Sequence, residues 1–160
     1  MALFEVRDLE VYYDTPRGPV RAVDGISFTI EKRGEVVGIV GESGSGKSTL
    51  ATALMRLLPE NATLRKGRVF FQGNDLMDLS DQEFRKRIRS RVIALVFQGA
   101  MNALNPVLRV GNQITERLML EENISKKGAY GLAEELLELV GLPKEIIQRY
   151  PHELSGGMKQ

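Results

Sequence analysis

The first part of the chain alternates apolar and polar residues, which is the pattern of half-buried antiparallel strands. This alternation runs through Leu3–Arg7, Leu9–Tyr13 and Ala22–Ile30, and a turn is predicted at Thr15–Pro19. Gly67–Gln72 is predicted to add a further strand. We therefore expect a small antiparallel sheet near the N-terminus.

Two later runs contain no charged or polar side chain, which predicts strands that are buried on both faces, as in a parallel sheet. They are Val36–Val40 and Val92–Phe97. The first run is followed by a glycine-rich loop and then by apolar residues at helical spacing over Lys47–Leu58. A buried strand followed by a helix is typical of an α/β fold.

Helical spacing dominates the second half of the chain. Apolar residues recur at this spacing over Val110–Leu118 and Leu132–Val140, and a short helix is predicted over Lys144–Arg149. Ser155 is predicted to be the N-cap of a last helix. In the first half, Ser80–Glu83 has the sequence of a capping box, which predicts another helix start.

The glycine-rich loop carries the chemistry. Gly41, Gly46, Lys47 and Ser48 match the pattern G-x-x-x-x-G-K-[ST] of a phosphate-binding loop. Glycines let such a loop curl until its amides converge on a polyphosphate, and the helix adds its positive N-terminal end. The lysine suits the β- and γ-phosphates, and the serine hydroxyl suits Mg²⁺. A glycine-rich loop that binds nothing is the alternative, but the flanking strand and helix favour nucleotide binding.

Composition narrows the classes of function. A net charge of +1 argues against a general nucleic-acid binder, because the basic surplus of such a protein would be larger. The sequence has no cysteine, which leaves no disulfide or thiolate metal site. No apolar run approaches the ~20 residues that cross a bilayer. We therefore expect a soluble chain that reaches a membrane only through a partner.

Three features each have two interpretations. Tyr13, at the edge of the predicted sheet, is either a core aromatic residue or a platform for an adenine ring. Gln98 follows a predicted core strand, where a side chain either bonds the strand end or meets a ligand at the binding edge of an α/β sheet. The basic residues of Arg85–Arg91 form either a solvated helix face or a phosphate contact.

A motif near the C-terminus makes a family resemblance specific. Leu154–Gln160, with the sequence LSGGMKQ, matches the signature of the ATP-binding cassette (ABC) ATPases, and the phosphate loop and Gln98 precede it in the order of that family. Ala103–Pro106 and the Tyr150–Leu154 lead-in resemble the branch that serves oligopeptide, dipeptide and nickel importers. The resemblance covers Leu3–Gln160.

This resemblance implies an α/β fold, the P-loop NTPase of the ABC type, with an antiparallel β subdomain, part of a RecA-like parallel core and a helical subdomain. Residues 1–98 would hold the β subdomain and the phosphate-loop core, and residues 99–160 the helical subdomain, in one incomplete domain. The C-terminal part of the core would be missing, so Val36–Val40 and Val92–Phe97 would flank an unfilled gap. Such strand edges favour rearrangement or self-association.

The resemblance also implies roles for single residues. Lys47 would contact the β- and γ-phosphates of ATP, Ser48 would hold Mg²⁺, and Gln98 would sense the metal and the γ-phosphate. Tyr13 would stack on the adenine. The other implied nucleotide contacts come from the phosphate loop and, toward ATP on an opposite subunit, from the signature: Gly41, Glu42, Ser43, Gly44, Ser45, Gly46, Thr49, Ser155, Gly156 and Gly157.

The implied protein is the ATP-binding subunit of an ABC importer that couples ATP binding and hydrolysis to uptake of an oligopeptide or dipeptide. Its partners would be a second ATPase subunit, transmembrane permease subunits and, indirectly, a solute-binding protein, with no nucleic acid. It would lie at the cytoplasmic face of the membrane. The alternatives are a phosphate-loop module that binds nucleotide without hydrolysis and a cassette relative from DNA repair or translation.

We expect the 160-residue chain not to hydrolyse ATP. The resemblance implies that an Asp-Glu strand and a switch histidine follow the signature, and neither is present, since His152 precedes it. Without that glutamate no residue would position the attacking water. A phosphate-release assay should stay at background, and a rate that disappears on Lys47→Ala would contradict the expectation.

Overall fold

The structure, a computed structural model, has two units that are described separately. The described residues are 1–89, 91–97, 99, 103–121 and 124–159. The first unit is Met1–Leu95 and the second is Val96–Gln160. An antiparallel sheet and helices are both present, which confirms the predicted α/β class.

A four-stranded antiparallel sheet organises the first unit. Its strands are β1 (Phe4–Thr15), β2 (Gly18–Ile30), β3 (Ala62–Phe71) and β4 (Asn74–Asp75), in the order β2-β1-β3-β4. The two strands predicted at Leu3–Arg7 and Leu9–Tyr13 form one continuous strand, β1. Its pairing with β2 shifts register between Val6 and Leu9, where the two predicted strands meet. Gly67 on β3 permits this, since a Cβ there would lie 2.5 Å from the Cα of Leu9.

Two helices cover this sheet, α1 (Lys47–Leu54) and α2 (Asp81–Arg87). The core combines strand residues with Leu50 of α1 and Phe84 of α2. The predicted capping box is present, because the amide of Glu83 donates to Ser80 Oγ and the amide of Ser80 donates to Glu83 Oε2. The hydrogen bond from the Ser80 hydroxyl also lowers the pKa of the Glu83 carboxyl.

The second unit is helical, as predicted. It contains α3 (Val110–Glu121), α4 (Lys126–Leu139), 3-10 turns at Lys144–Gln148 and Pro151–Glu153, and α5 (Gly156–Lys159). A small core joins these elements through buried side chains, namely Val110, Ala133, Leu137, Ile146, Ile147 and Leu154. Among the described residues of either unit, no helix is long and apolar enough to cross a membrane.

The prediction of two buried parallel strands is wrong. Val36–Val40 forms no strand, and Val36 and Val40 are 91% and 96% exposed. Within the described residues, the only pairing of Val92–Phe97 is an isolated parallel bridge from Ile93 to Arg89. The composition of both runs is that of buried strands, but a strand of a parallel sheet also needs hydrogen-bonded neighbours. The described part of the chain supplies no neighbouring strand for either run.

An apolar cavity of about 420 Å³ accompanies these unpaired runs in the first unit. Phe28 and Phe71 of the sheet line it, together with Val37 and Val92 of the two runs. Apolar side chains around an open cavity lose both the contacts and the exclusion of water that a filled core provides. The four strands of the sheet are therefore paired, while the apolar core beside the sheet stays partly open to solvent.

We expect the 160-residue chain to self-associate through these runs, because exposed apolar segments with unpaired backbone groups recruit another strand. Val36→Lys places a charge in the first run and should raise the monomer fraction in light scattering. Val107→Lys is the matched control, since Val107 is 75% exposed in a turn outside both runs. A monodisperse wild-type monomer that unfolds cooperatively on heating would contradict this expectation.

Candidate phosphate-binding site

The candidate site begins at the N-terminus of α1. Gly46 is the N-cap with φ 90°, and the first helical hydrogen bond runs from Leu50 N to Gly46 O at 2.8 Å. No side chain in the described residues caps this helix end, and its first turn contains no acidic residue. The first amides of a helix lack intrahelical acceptors and carry the positive end of its dipole. This end of α1 is therefore suited to an anion.

Contact with β2 determines where α1 starts. A Cβ built on Gly46 would lie 2.0 Å from the carbonyl oxygen of Ala22. Gly44 also has a positive φ, 82°, but a Cβ there would meet nothing within 4 Å. The two glycines therefore serve different purposes, since Gly44 is needed only for its backbone conformation and Gly46 also for the close approach.

The Lys47 side chain stabilises the loop by donating hydrogen bonds to three of its acceptors. Its Nζ donates to Gly41 O at 2.8 Å, to Glu42 O at 2.6 Å and to Ser45 Oγ at 3.2 Å. An ammonium group has three donors, so acceptors of the loop occupy all of them. The loop is thus closed around a positive charge, which phosphate oxygens would share with the loop carbonyls.

A cavity of about 300 Å³ opens beside the loop and α1. The Tyr13 hydroxyl lies 3.5 Å from Thr49 Oγ1, which brings β1 against the helix. The structure thus gathers Tyr13 and the second half of the phosphate loop around one space. Its lining consists of Tyr13, Ala22, Gly44, Ser45, Gly46, Lys47, Ser48 and Thr49.

Ala22 is the lining residue that sequence reasoning missed. An alanine in a strand carries no chemical signal, and its contribution here is a backbone carbonyl against Gly46. Only the strength of the glycine requirement at Gly46 hints at a close neighbour, and it does not say which residue that is.

The first residues of the loop lie outside this cavity. Gly41 borders a second cavity of about 420 Å³, which Arg21 and Asp24 also line. Glu42 takes part through its carbonyl oxygen, which accepts from Lys47. Ser43 is exposed and lines neither cavity.

The signature residues belong to the second unit. Ser155 precedes α5, where its Oγ accepts from Met158 N at 3.4 Å and its carbonyl accepts from Lys159 N at 3.1 Å. Gly156 and Gly157 open the helix and are exposed. Gln98, which was predicted to contact metal and nucleotide, lies outside the described residues.

Comparison with known protein families agrees with the loop geometry. The sequence model of the ABC transporter family matches residues 23–160, which include both the phosphate loop and the signature. The chain belongs to the ABC transporter family. The predicted resemblance to the ABC ATPases is therefore confirmed.

Two sequence relatives of this ABC chain are named for peptide transport. The oligopeptide transport ATP-binding protein OppD of Bacillus subtilis is 45% identical over 161 residues, which cover 99% of this chain and 44% of OppD. The dipeptide transport ATP-binding protein DppD of the same bacterium is also 45% identical, over 99% of this chain and 48% of DppD. The chain thus spans less than half the length of these relatives.

Solved ABC structures share the fold of this chain. The dimeric structure of the ATP-binding cassette MJ0796, in a post-hydrolysis state bound to ADP and Pi, matches with a TM-score of 0.80 and 28% identity. The match covers 98% of this chain and 65% of the MJ0796 chain. This likeness confirms the ABC-type fold that the signature and the phosphate loop imply.

Gly46→Ala should destabilise the ABC chain more than Gly44→Ala. An alanine at a positive φ costs about 1–2 kcal/mol at either position. The clash with Ala22 O applies only to Gly46 and should add about 1–3 kcal/mol, as overpacking does elsewhere. The free energy of unfolding in urea measures both costs, and equal losses in the two variants would show that the contact with β2 is unimportant.

Proposed function

We propose that the chain is the ATP-binding portion of an ABC importer subunit, an ATPase that drives the uptake of oligopeptides or dipeptides. The observation that carries this proposal is a single cavity that combines the uncapped N-terminus of α1, the Lys47 ammonium and the Tyr13 ring. Amide donors and a cation suit a polyphosphate, and an aromatic ring suits a base. The names of OppD and DppD support peptides as the transported solute.

Each part of ATP has a proposed place in this site. The phosphates would bind the amides from Gly44 to Thr49, with Lys47 on the β- and γ-phosphates, while Gly41, Glu42 and Ser43 shape the start of the loop. Tyr13 would stack on the adenine. Gln98 would act with Lys47 in catalysis by linking the γ-phosphate to the helical unit.

The residues of the cavity fit Mg²⁺ as a partner of ATP. Ser48 is exposed and lines the cavity, so its hydroxyl is accessible to a cation. Within the described residues, no group of three or more His, Cys, Asp and Glu side chains is placed to hold a metal. Mg²⁺ usually keeps several waters and binds one or two protein groups together with substrate phosphates. Ser48 would be one such group, and Gln98 is proposed as the second.

The second candidate function, for the 160-residue chain alone, is nucleotide binding without hydrolysis. No carboxylate side chain lines the cavity in the described part of the chain. Phosphoryl transfer to water depends on a group that positions the attacking water, besides the electrostatic stabilisation that the loop provides. The 160-residue chain alone would then bind nucleotide without turning it over.

The signature supports a second ATPase subunit as partner. Ser155, Gly156 and Gly157 are exposed at the start of α5, where a hydroxyl and free amides are available to a phosphate bound elsewhere. We propose that they contact ATP held by an opposing subunit in a head-to-tail dimer. Permease subunits would anchor this dimer to the cytoplasmic face of the membrane, and a solute-binding protein would act indirectly through them.

Calorimetric titration with Mg²⁺-ATP tests the nucleotide proposal on this chain. Lys47→Ala removes the central charge and should weaken binding at least about tenfold, as loss of charge-assisted hydrogen bonds does. Lys32→Ala is the matched control, because Lys32 is an exposed lysine of the same unit outside the cavity, and it should bind like the wild type. No binding by the wild type, or equal binding by Lys47→Ala, would overturn the proposal.

A further inference from the structure

We propose that Arg56 and Arg89 form a clamp that positions α1, and with it the phosphate-binding groups at the opposite end of the helix. The inference rests on the proposed function, for which it names two positioning residues. A helical rise of about 1.5 Å per residue puts Met55, where the clamp acts, about 12 Å from Lys47. Neither arginine lines the cavity beside the loop.

The clamp begins at the C-terminal end of α1. The helix has only eight residues, and the chain leaves it through Met55 and then Arg56, whose φ is 51°. The last carbonyl groups of a helix lack intrahelical donors. Arg89 supplies donors here, because its Nη2 lies 2.9 Å from Met55 O and 3.2 Å from Arg56 O. The positive charge of Arg89 also interacts favourably with the negative C-terminal end of the helix dipole.

The Arg56 side chain contacts the segment that leads into α2. Its guanidinium donates to Leu76 O at 2.6 Å and to Leu79 O at 2.9 Å. It also donates to Asp81 Oδ1 at 2.9 Å. Arg56 therefore fastens the end of α1 to the segment before α2, and Arg89 fastens it to the segment after α2.

Phe84 ties the clamp to the hydrophobic core. The guanidinium carbon of Arg56 lies 4.4 Å from the centre of the Phe84 ring, at a distance typical of cation–π contacts. Phe84 is 1% exposed and belongs to the same core cluster as Leu50 of α1. The backbone amide of Arg89 also donates to Phe84 O at 3.0 Å. The clamp thus holds the end of α1 against the buried core of the unit.

Two fixed points then determine the position of α1. One is the contact of Gly46 with Ala22 at its N-terminus, and the other is the clamp at its C-terminus. Without the clamp the helix would keep its hydrogen bonds and the packing of Leu50, but it could tilt about the Gly46 contact. Binding groups must be held within a fraction of an ångström to act together. A tilt would displace Lys47 and Ser48 from the phosphates without unfolding the unit.

Arg89→Ala tests the clamp by removing the two hydrogen bonds to Met55 O and Arg56 O, directly after the last residue of α1. We expect the Kd for Mg²⁺-ATP to rise about tenfold, the loss expected when a charge-assisted hydrogen bond to the phosphates is weakened. We also expect faster deuterium uptake in peptides covering residues 41–49 of the nucleotide-free chain. Arg89→Lys keeps the positive charge on a shorter side chain that lacks the planar guanidinium, so it should restore part of both properties.

Two controls separate positioning from general stability. Arg85→Ala removes a neighbouring arginine of α2 that borders the same cavity as Arg56 and Arg89. The Arg85 side chain makes no hydrogen bond or ion pair with the described residues, so this variant should match the wild type. Val69→Ala weakens the core from β3, away from the clamp. If Arg89→Ala changes affinity and loop exchange no more than Val69→Ala does at an equal loss of melting temperature, the clamp has only a structural role and the proposal fails.

The remaining outcomes are also decisive. If Arg89→Ala does not fold, Arg56→Lys takes its place, since one ammonium cannot reach every acceptor of the guanidinium, and about a threefold rise in Kd is expected. No rise would overturn the proposal. If the wild-type chain does not bind Mg²⁺-ATP, the proposed function fails, whereas the exchange comparison on the nucleotide-free chain still decides whether the clamp positions the loop.

Discussion

The close approach of Gly46 to the carbonyl of Ala22 is the contact on which the candidate site depends. It places the start of α1 against β2 with no room for a side chain, so the helix begins at one position relative to the sheet. The first amides of α1, the Lys47 ammonium and the Ser48 hydroxyl follow from that position. Because β2 is paired along its length with β1, the same contact also places Tyr13 beside the loop.

The first unit, which contains this contact, has a fully paired antiparallel sheet but an unpaired strand-like run at Val36–Val40. Two pairs of the antiparallel sheet are local, since a tight turn connects β1 and β2 and a two-residue turn separates β3 from β4. These two hairpins then pair with each other through β1 and β3, which lie far apart in the chain. A strand of a parallel sheet cannot pair with its partner through a tight turn, because a parallel pair needs a long crossover connection. Val36–Val40 therefore stays unpaired and exposed, although the Lys47 ammonium closes the loop that follows it.

Local rules explain most of the successful predictions. The capping box at Ser80 and Glu83 and the helix that starts at Lys47 depend on interactions within a few residues, which spacing and residue type reveal. The strand of Ala22–Ile30 has its partner in the same hairpin, since it pairs with β1 across one tight turn. The wrong predictions, Val36–Val40 and Val92–Phe97, depend on distant neighbours. Ala22 went unrecognised because it acts through its own backbone carbonyl. The clamp formed by Arg56 and Arg89 went unrecognised because their guanidinium groups donate to backbone carbonyls, which every residue has and no pattern marks.

The sequence by itself determined the family, the phosphate loop and the types of its elements, because motif spacing and hydrophobic periodicity are properties of the chain alone. Tertiary structure alone decided which groups share the cavity, which glycine must lack a side chain, and how Arg56 and Arg89 grip the far end of α1. It also decided that two strand-like runs stay unpaired. These outcomes depend on distances between segments far apart in the chain, and such distances are set by packing and hydrogen-bond partners rather than by local residue preference.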